Sequence, residues 1–230
     1  MTYLGSKAKY SKYIAPILQS YIDEHNSKIF IDCCVGGANI IDKIKCETRI
    51  GIDNNKNLIA LYKEVQKGDF SFPEKISRED WDNCKNGNAP DWFIGLVSIF
   101  ASYNTRGFSG GFIHGEVGEK QYRGRINTFK KQIPSLYGIN FKYDDYTTLL
   151  TYKDAVIYID PPYANTKKYD TSKDFNHEHF WETMREVSKN NKIFISELTA
   201  PDDFICIWEF EGTHQLGGKV FTQKEKLFTL

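Results

Sequence analysis

Ala155-Val156-Ile157-Tyr158-Ile159-Asp160-Pro161-Pro162-Tyr163 is an apolar run broken by an acid and two prolines. Its first five residues, rich in β-branched and aromatic side chains, read as a buried strand. The next three cannot continue that strand. Each proline ring removes a backbone donor, and Pro162 holds Pro161 extended. The outcome is a rigid loop at a strand's carboxyl end, where open α/β sheets place their ligands. The loop offers a carboxylate, a carbonyl with no ladder to join and the aromatic face of Tyr163. That set suits an exocyclic amine on a flat ring, with two acceptors for the amino hydrogens and a surface for stacking.

On either side of this loop the chain alternates between strands and helices. Helical spacing of Tyr13, Ile14, Ile17, Leu18 and Tyr21 predicts a helix over 11–21. Strands are predicted over 28–34, 49–52, 139–143, 155–159 and 192–196, and helices over 92–103, 125–132 and 177–189. A helix is also expected after Gly36-Gly37, running through Ile41 and Ile44. Leu58, Ile59, Tyr62 and Val65 mark another amphipathic helix. Residues 68–90 carry Pro73, Pro90 and scattered charge, and 104–124 carry six glycines, so both read as irregular. Residues 205–210 and 226–230 are expected to close the fold as an antiparallel pair. Alternating βα units predict an α/β fold with a mostly parallel sheet. Residues 1–67 and 136–230 form its main domain, and 68–135 reads as a modest insertion.

A second ligand-binding element lies on the first two strands. Phe30-Ile31-Asp32-Cys33-Cys34-Val35-Gly36-Gly37-Ala38-Asn39 is a strand followed by a glycine turn, which allows close approach to the backbone. Asp53 ends the next strand, where an acid commonly holds both hydroxyls of a ribose. No GxxxxGK[ST] sequence is present to cradle phosphates. A phosphate-free nucleoside cofactor such as S-adenosylmethionine fits this pattern.

Composition narrows the class. The chain has 230 residues, 40% of them hydrophobic and 15% aromatic, as in an ordinary globular domain. Formal net charge is zero, so any nucleic-acid binding depends on a local basic patch. The five cysteines lack CxxC spacing, which argues for reduced thiols and against a bound metal. No stretch is apolar enough to span a membrane, and the first residues lack the apolar core of a signal peptide. A cytoplasmic protein is expected.

Together these segments resemble the Dam-like DNA adenine methyltransferases, particularly short phage-type members. Tyr3-Leu4-Gly5-Ser6-Lys7 is similar to the family's aromatic-x-Gly-Gly-Lys, with Ser6 in place of the second glycine. Phe30 to Ala38 resembles its [ED]-P-F-x-G-G-G segment, with Cys33 and Cys34 in place of Pro-Phe. Gly51-Ile52-Asp53-Asn54-Asn55 resembles the ribose-binding strand end, and Tyr158 to Tyr163 the catalytic loop. Phe175 to Trp181, Ser196-Glu197 with Ala200-Pro201, and Lys224 to Phe228 are also similar to phage-type segments. The resemblance implies a Rossmann-like, seven-stranded methyltransferase sheet that binds S-adenosylmethionine and methylates the N6 amine of adenine in double-stranded DNA. It implies an enzyme of a bacterial cell or phage-infected host, acting alone or beside a restriction system, and a monomer is expected.

By the same resemblance Tyr3, Lys7, Asp32, Asp53, Asp145 and Asp160 contact the cofactor, with Gly36 and Gly37 giving close backbone approach. Asp144 competes with Asp145 for the position beside the cofactor adenine. Asp160, Pro161, Pro162 and Tyr163 form the catalytic loop, and the target base leaves the helix to reach it. Candidate DNA contacts are Asn104 and Arg106 in the glycine-rich stretch and Arg123, Arg125, Lys130 and Lys131 beyond it. Tyr122 and Phe129 interleave that second group as expected stacking surfaces. Lys167 and Lys168, just past the catalytic loop, complete the set. Methylation of cytosine or of an RNA base is the nearest alternative, followed by a non-catalytic nucleic-acid-binding protein on the same fold. His177 and His179 are expected at the surface rather than as metal ligands.

Overall fold

In the strands of this chain, consecutive side chains enter different cores. Phe30, Tyr158 and Phe194 belong to one buried cluster, while Ile31, Ile157 and Ile193 belong to another. That period of two, apolar on both sides, is what a sheet covered on both faces requires. A computed structural model describes residues 1–163, 175–216 and 219–230, with side chains omitted at 214–216, 219–221 and 223. Lys167 and Lys168 therefore lie outside the described residues.

Seven strands form one sheet: β1 (Ile29–Cys33), β2 (Thr48–Asp53), β3 (Ile139–Tyr143), β4 (Ala155–Ile159), β5 (Lys192–Glu197), β6 (Ile205–Leu216) and β7 (Lys219–Thr229). Their order is β3-β2-β1-β4-β5-β7-β6. The first five run parallel, and β7 enters antiparallel between β5 and β6. This is a Rossmann-like sheet with order reversing between β1 and β4, the crevice where doubly wound folds bind ligands. Register aligns Cys33 with both Ile52 and Ile159, so three strand ends open at one level.

Helices α1 (Ser11–Glu24), α2 (Lys56–Val65), α4 (Asp91–Phe100) and α5 (Gly115–Leu136) share the larger core. Helix α6 (His177–Ser188) covers the other, through Met184 and Val187. Helix α3 (Arg78–Lys85) adds Trp81 and Cys84 to the larger core. Residues 68–135 thus contribute Trp81, Phe100 and Phe129 to the same cluster as Leu18 and Tyr62. No helix among the described residues is long and apolar enough to cross a membrane.

Three local expectations are corrected. The helix expected after Gly36-Gly37 is only a 3₁₀ turn, Ile41–Lys43. Gln132 Nε2 donates to the Gly37 and Ala38 carbonyls at 3.1 and 3.0 Å, engaging groups a continuous helix would use. Within 68–90, helix α3 starts at a capping box: Ser77 Oγ accepts the Asp80 amide and the Asp80 carboxylate accepts the Ser77 amide. Finally, α5 begins ten residues before the predicted 125 and absorbs Gly118 and Gly124. Gly118 is there for close packing, since a Cβ would stand 2.7 Å from the Ile113 carbonyl carbon.

Candidate active site

The carboxyl ends of β1, β2 and β4 open into one cleft of about 1340 Å³. Tyr3, Asp32, Gly36, Gly37, Asp53 and Asp145 border it, and so do Lys7, Asp160, Pro161, Pro162 and Tyr163. Strand order brings the ends of β1, β2 and β4 together, and the segment carrying Tyr3 and Lys7 packs against them.

Asp53 organises the glycine-turn side of the cleft. Its Oδ2 accepts the Gly36 amide at 2.9 Å and its Oδ1 accepts the Asn55 amide at 2.9 Å. Burial pushes the carboxyl up, and those two amides pull it back. The Gly36 carbonyl accepts the Tyr62 hydroxyl at 2.5 Å, so the turn is fixed at both ends of one residue. The need for glycine here is partly internal. A Cβ on Gly36 would meet the Tyr3 ring at 3.1 Å, and one on Gly37 the Tyr3 Cβ at 3.1 Å. Tyr3 therefore lies on the turn, and burial pushes its phenol well up. Met1 extends this seam, donating its amine to Asn39 Oδ1 at 2.8 Å and to Gln132 Oε1.

Asp32 sits beneath the turn, almost wholly buried, and accepts the Ile41 amide at 3.2 Å. Burial raises its carboxyl well above the usual range. Cys34 adopts a left-handed backbone, φ 62°. Hydrogen bonding with Cys33, then burial, holds its thiol far above the usual range, so Cys34 is not an activated nucleophile. At the far wall Asp145 caps the turn Tyr146–Thr151, accepting the Thr147 amide at 2.7 Å. Asp144 also borders the cleft, so both alternatives for that position remain. The Tyr146 hydroxyl and His179 Nδ1 are 2.7 Å apart, placing His179 behind an aromatic wall that also includes Phe175.

The Asp160-Pro161-Pro162-Tyr163 loop is anchored where β4 ends. The Asp160 amide donates to the Cys33 carbonyl at 3.3 Å, linking it to the start of the glycine turn. Lys7 Nζ stands 2.7 Å from Asp160 Oδ1 and 3.6 Å from Glu225 Oε1. Burial pushes the Asp160 carboxyl up and the Lys7 charge opposes it. Burial also disfavours the Lys7 ammonium, yet the two carboxylates together raise its pKa. Glu225 was missed from sequence. Lys224 to Phe228 resembles a phage-type segment, but only the alternation of β7 marks Glu225 as inward.

Several candidate DNA contacts have other partners. Arg125 donates to the Phe100 and Ser102 carbonyls at 3.0 and 2.7 Å, bracing the end of α4 rather than facing outward. Tyr122 and Phe129 are buried, so they pack the core instead of offering stacking surfaces. Arg123 is exposed beside Glu119 at 3.7 Å, and Lys130 lies 5.4 Å from the Phe72 ring centroid. Lys131, Asn104 and Arg106 are exposed. Among the described residues, none of these candidates borders the cleft. Phe108, from the same loop as Asn104, packs edge-on against Trp81 at 5.0 Å.

The donor set can hold a cationic nucleoside. Beside the glycine turn and the start of the proline loop, the buried Asp32 and Asp53 and the partly buried Asp160 place three carboxylates against one buried ammonium, Lys7. A sulfonium and an amino group would offset that excess, whereas a phosphate would add to it. No protein-family model matches the chain, and no curated protein matches it. Among solved structures it is similar to a Pyrococcus horikoshii protein provisionally described as an RNA methyltransferase. Identity is 7% over 94% of this chain and 80% of that one, with a TM-score of 0.38. It is also similar to an rRNA methylase from Streptococcus thermophilus, at 9% identity, 93% and 95% coverage and a TM-score of 0.37.

Proposed function

We propose that the chain is an S-adenosylmethionine-dependent methyltransferase that modifies the N6 amine of adenine in duplex DNA. The observation that carries this reading is the placement of Asp160-Pro161-Pro162-Tyr163 beside the glycine turn and Asp53, across one cleft. Bound there, S-adenosylmethionine supplies a methyl group activated by its sulfonium and departs as the neutral thioether. Asp53 is placed to accept from its ribose, and Asp32 and Asp160 to face its positive charge.

An aromatic amine is a poor nucleophile because its lone pair is delocalised into the ring. Asp160 and the Pro161 carbonyl accept its two hydrogens and favour a tetrahedral nitrogen. The nitrogen lone pair forms the new N–CH3 bond as the S–CH3 bond breaks, with that bond's electrons staying on sulfur. The nitrogen becomes cationic beside a carboxylate already in place, and its surplus proton leaves toward Asp160. Tyr163 provides the stacking face for a base drawn out of the helix. The same chemistry serves cytosine or an RNA base, so the acceptor is settled by assay.

The test is transfer of labelled methyl to duplex DNA and, in parallel, to single-stranded RNA, followed by nucleoside analysis. N6-methyladenine from DNA is the expected product, and Asp160→Ala should abolish it while leaving a folded protein. Cofactor binding without transfer to any acceptor would overturn the reading. Label on another base, or in RNA alone, would move it to that substrate.

A further inference from the structure

Glu225 joins three residues that the sequence had already placed in the site. It lies in β7 at 3% exposure and borders the cleft. The Tyr163 hydroxyl donates to its Oε1, and Lys7 Nζ stands 3.6 Å from the same oxygen. Lys7 also lies 4.5 Å from the Tyr163 ring centroid, on one face of that ring. With the Lys7–Asp160 contact at 2.7 Å, the four side chains form one connected set. One ammonium between two carboxylates leaves a formal charge of −1. Burial pushes the Glu225 carboxyl up, Lys7 opposes that shift and Asp160 adds to it.

The prolines fix the backbone before Tyr163 but leave its side-chain torsions free. Two contacts from outside the loop bear on the ring: the Glu225 carboxylate at its hydroxyl and the Lys7 ammonium at one face. We propose that Glu225 is a positioning residue for the substrate half of the cleft, holding Tyr163 by its hydroxyl and Lys7 by its charge. This rests on the methyl-transfer reading and adds a third chain segment to the centre. Asp160 keeps its ammonium partner in the right place by the same arrangement, because Lys7 is held from both sides.

Four variants test it: Glu225→Gln, Glu225→Ala, Tyr163→Phe and the Glu225→Ala/Tyr163→Phe double variant. Steady-state methyl transfer to duplex DNA should show Glu225→Ala reducing kcat/KM for DNA by about tenfold or more. S-adenosylmethionine affinity by calorimetry should stay within about twofold. Glu225→Gln keeps an acceptor for the hydroxyl and should recover part of the loss. The double variant should lose less than the product of the two single losses, because both remove one bond. Multiplicative losses, wild-type kinetics in Glu225→Ala, or a loss that tracks cofactor affinity would overturn the proposal.

A readout independent of turnover separates this inference from the functional one. In protein labelled with 3-fluorotyrosine, the Tyr163 resonance is assigned by its disappearance in Tyr163→Phe. It should move in Glu225→Ala and move less in Glu225→Gln, both checked for folding by thermal melting. An unmoved resonance removes the positioning role even in an active enzyme. A moved resonance in a protein that methylates nothing would leave the ring contact standing and remove the methyl-transfer reading.

Discussion

Asp53 Oδ2 accepts the Gly36 amide at 2.9 Å, so the acid at the end of β2 also fixes the turn that ends β1. Asp53→Ala should therefore have two effects. Losing a charged acceptor for a ribose should weaken S-adenosylmethionine binding by roughly tenfold to a hundredfold. Freeing the Gly36 and Asn55 amides should also lower stability, by about 1–3 kcal/mol. Asp53→Asn keeps one acceptor and should fall between. Calorimetry and thermal melting measure the two effects separately, and unchanged affinity would place the cofactor elsewhere.

The raised carboxyls give cofactor binding a direction with pH. Burial lifts Asp53 and Asp160 above the ordinary 3.8, Asp53 against its two amide bonds and Asp160 against Lys7. A cation prefers the ionised forms. Affinity should be full where both are ionised and fall as pH drops through the raised values, earlier than for ordinary carboxyls. S-adenosylhomocysteine lacks the sulfonium charge and should show a shallower fall. Equal profiles for the two ligands would remove the carboxylate–sulfonium attraction.

Arg123 and Arg125 look alike in sequence but should respond differently. Arg125→Ala removes two charge-assisted bonds to backbone carbonyls and should cost about 1.5–3 kcal/mol of stability. Arg123 is exposed. If it contacts a phosphate, Arg123→Ala should flatten the slope of log K against log salt for DNA binding by about 0.9. An unchanged slope with Arg123→Ala would take that side chain off the DNA surface.

Two helical glycines offer a paired check on the fold. A Cβ at Gly95 in α4 would stand 2.3 Å from the Asn57 carbonyl oxygen of α2, while one at Gly124 in α5 meets nothing within 4 Å. Gly95→Ala should destabilise by about 1–3 kcal/mol or more. Gly124→Ala should stabilise by roughly 0.5–1 kcal/mol. Equal melting temperatures for the two variants would contradict the α2–α4 contact.

The strands of the parallel sheet were legible from their apolar, β-branched runs. β4 stops before Asp160-Pro161, which cannot extend its ladder, and β2 ends on Asp53. Asp53 and Asp160 stood out as candidate site residues because they lie at those ends, and both border the cleft. Helix α5 was misread because Gly118 counts as a breaker until its tight contact with Ile113 is seen. Helix α3 had a readable signal in Ser77-Arg78-Glu79-Asp80, obscured by its polar composition. Arg125 and Glu225 were beyond sequence reading. Each gains its role from a partner far along the chain, and nearby residues of the same type remain exposed.

Strand β7 enters between β5 and β6, and it carries Glu225 into a centre whose ammonium comes from Lys7. During synthesis, every other strand leaves the ribosome before β7 does. Until it arrives, β5 has an open edge and β6 has no neighbour to pair with. Lys7 and Asp160 can meet earlier, but the second anchor of Tyr163 comes only with the final insertion. The centre is therefore completed only once β7 has left the ribosome and inserted, and a nascent chain that still lacks β7 has no Glu225 to hold the Tyr163 hydroxyl.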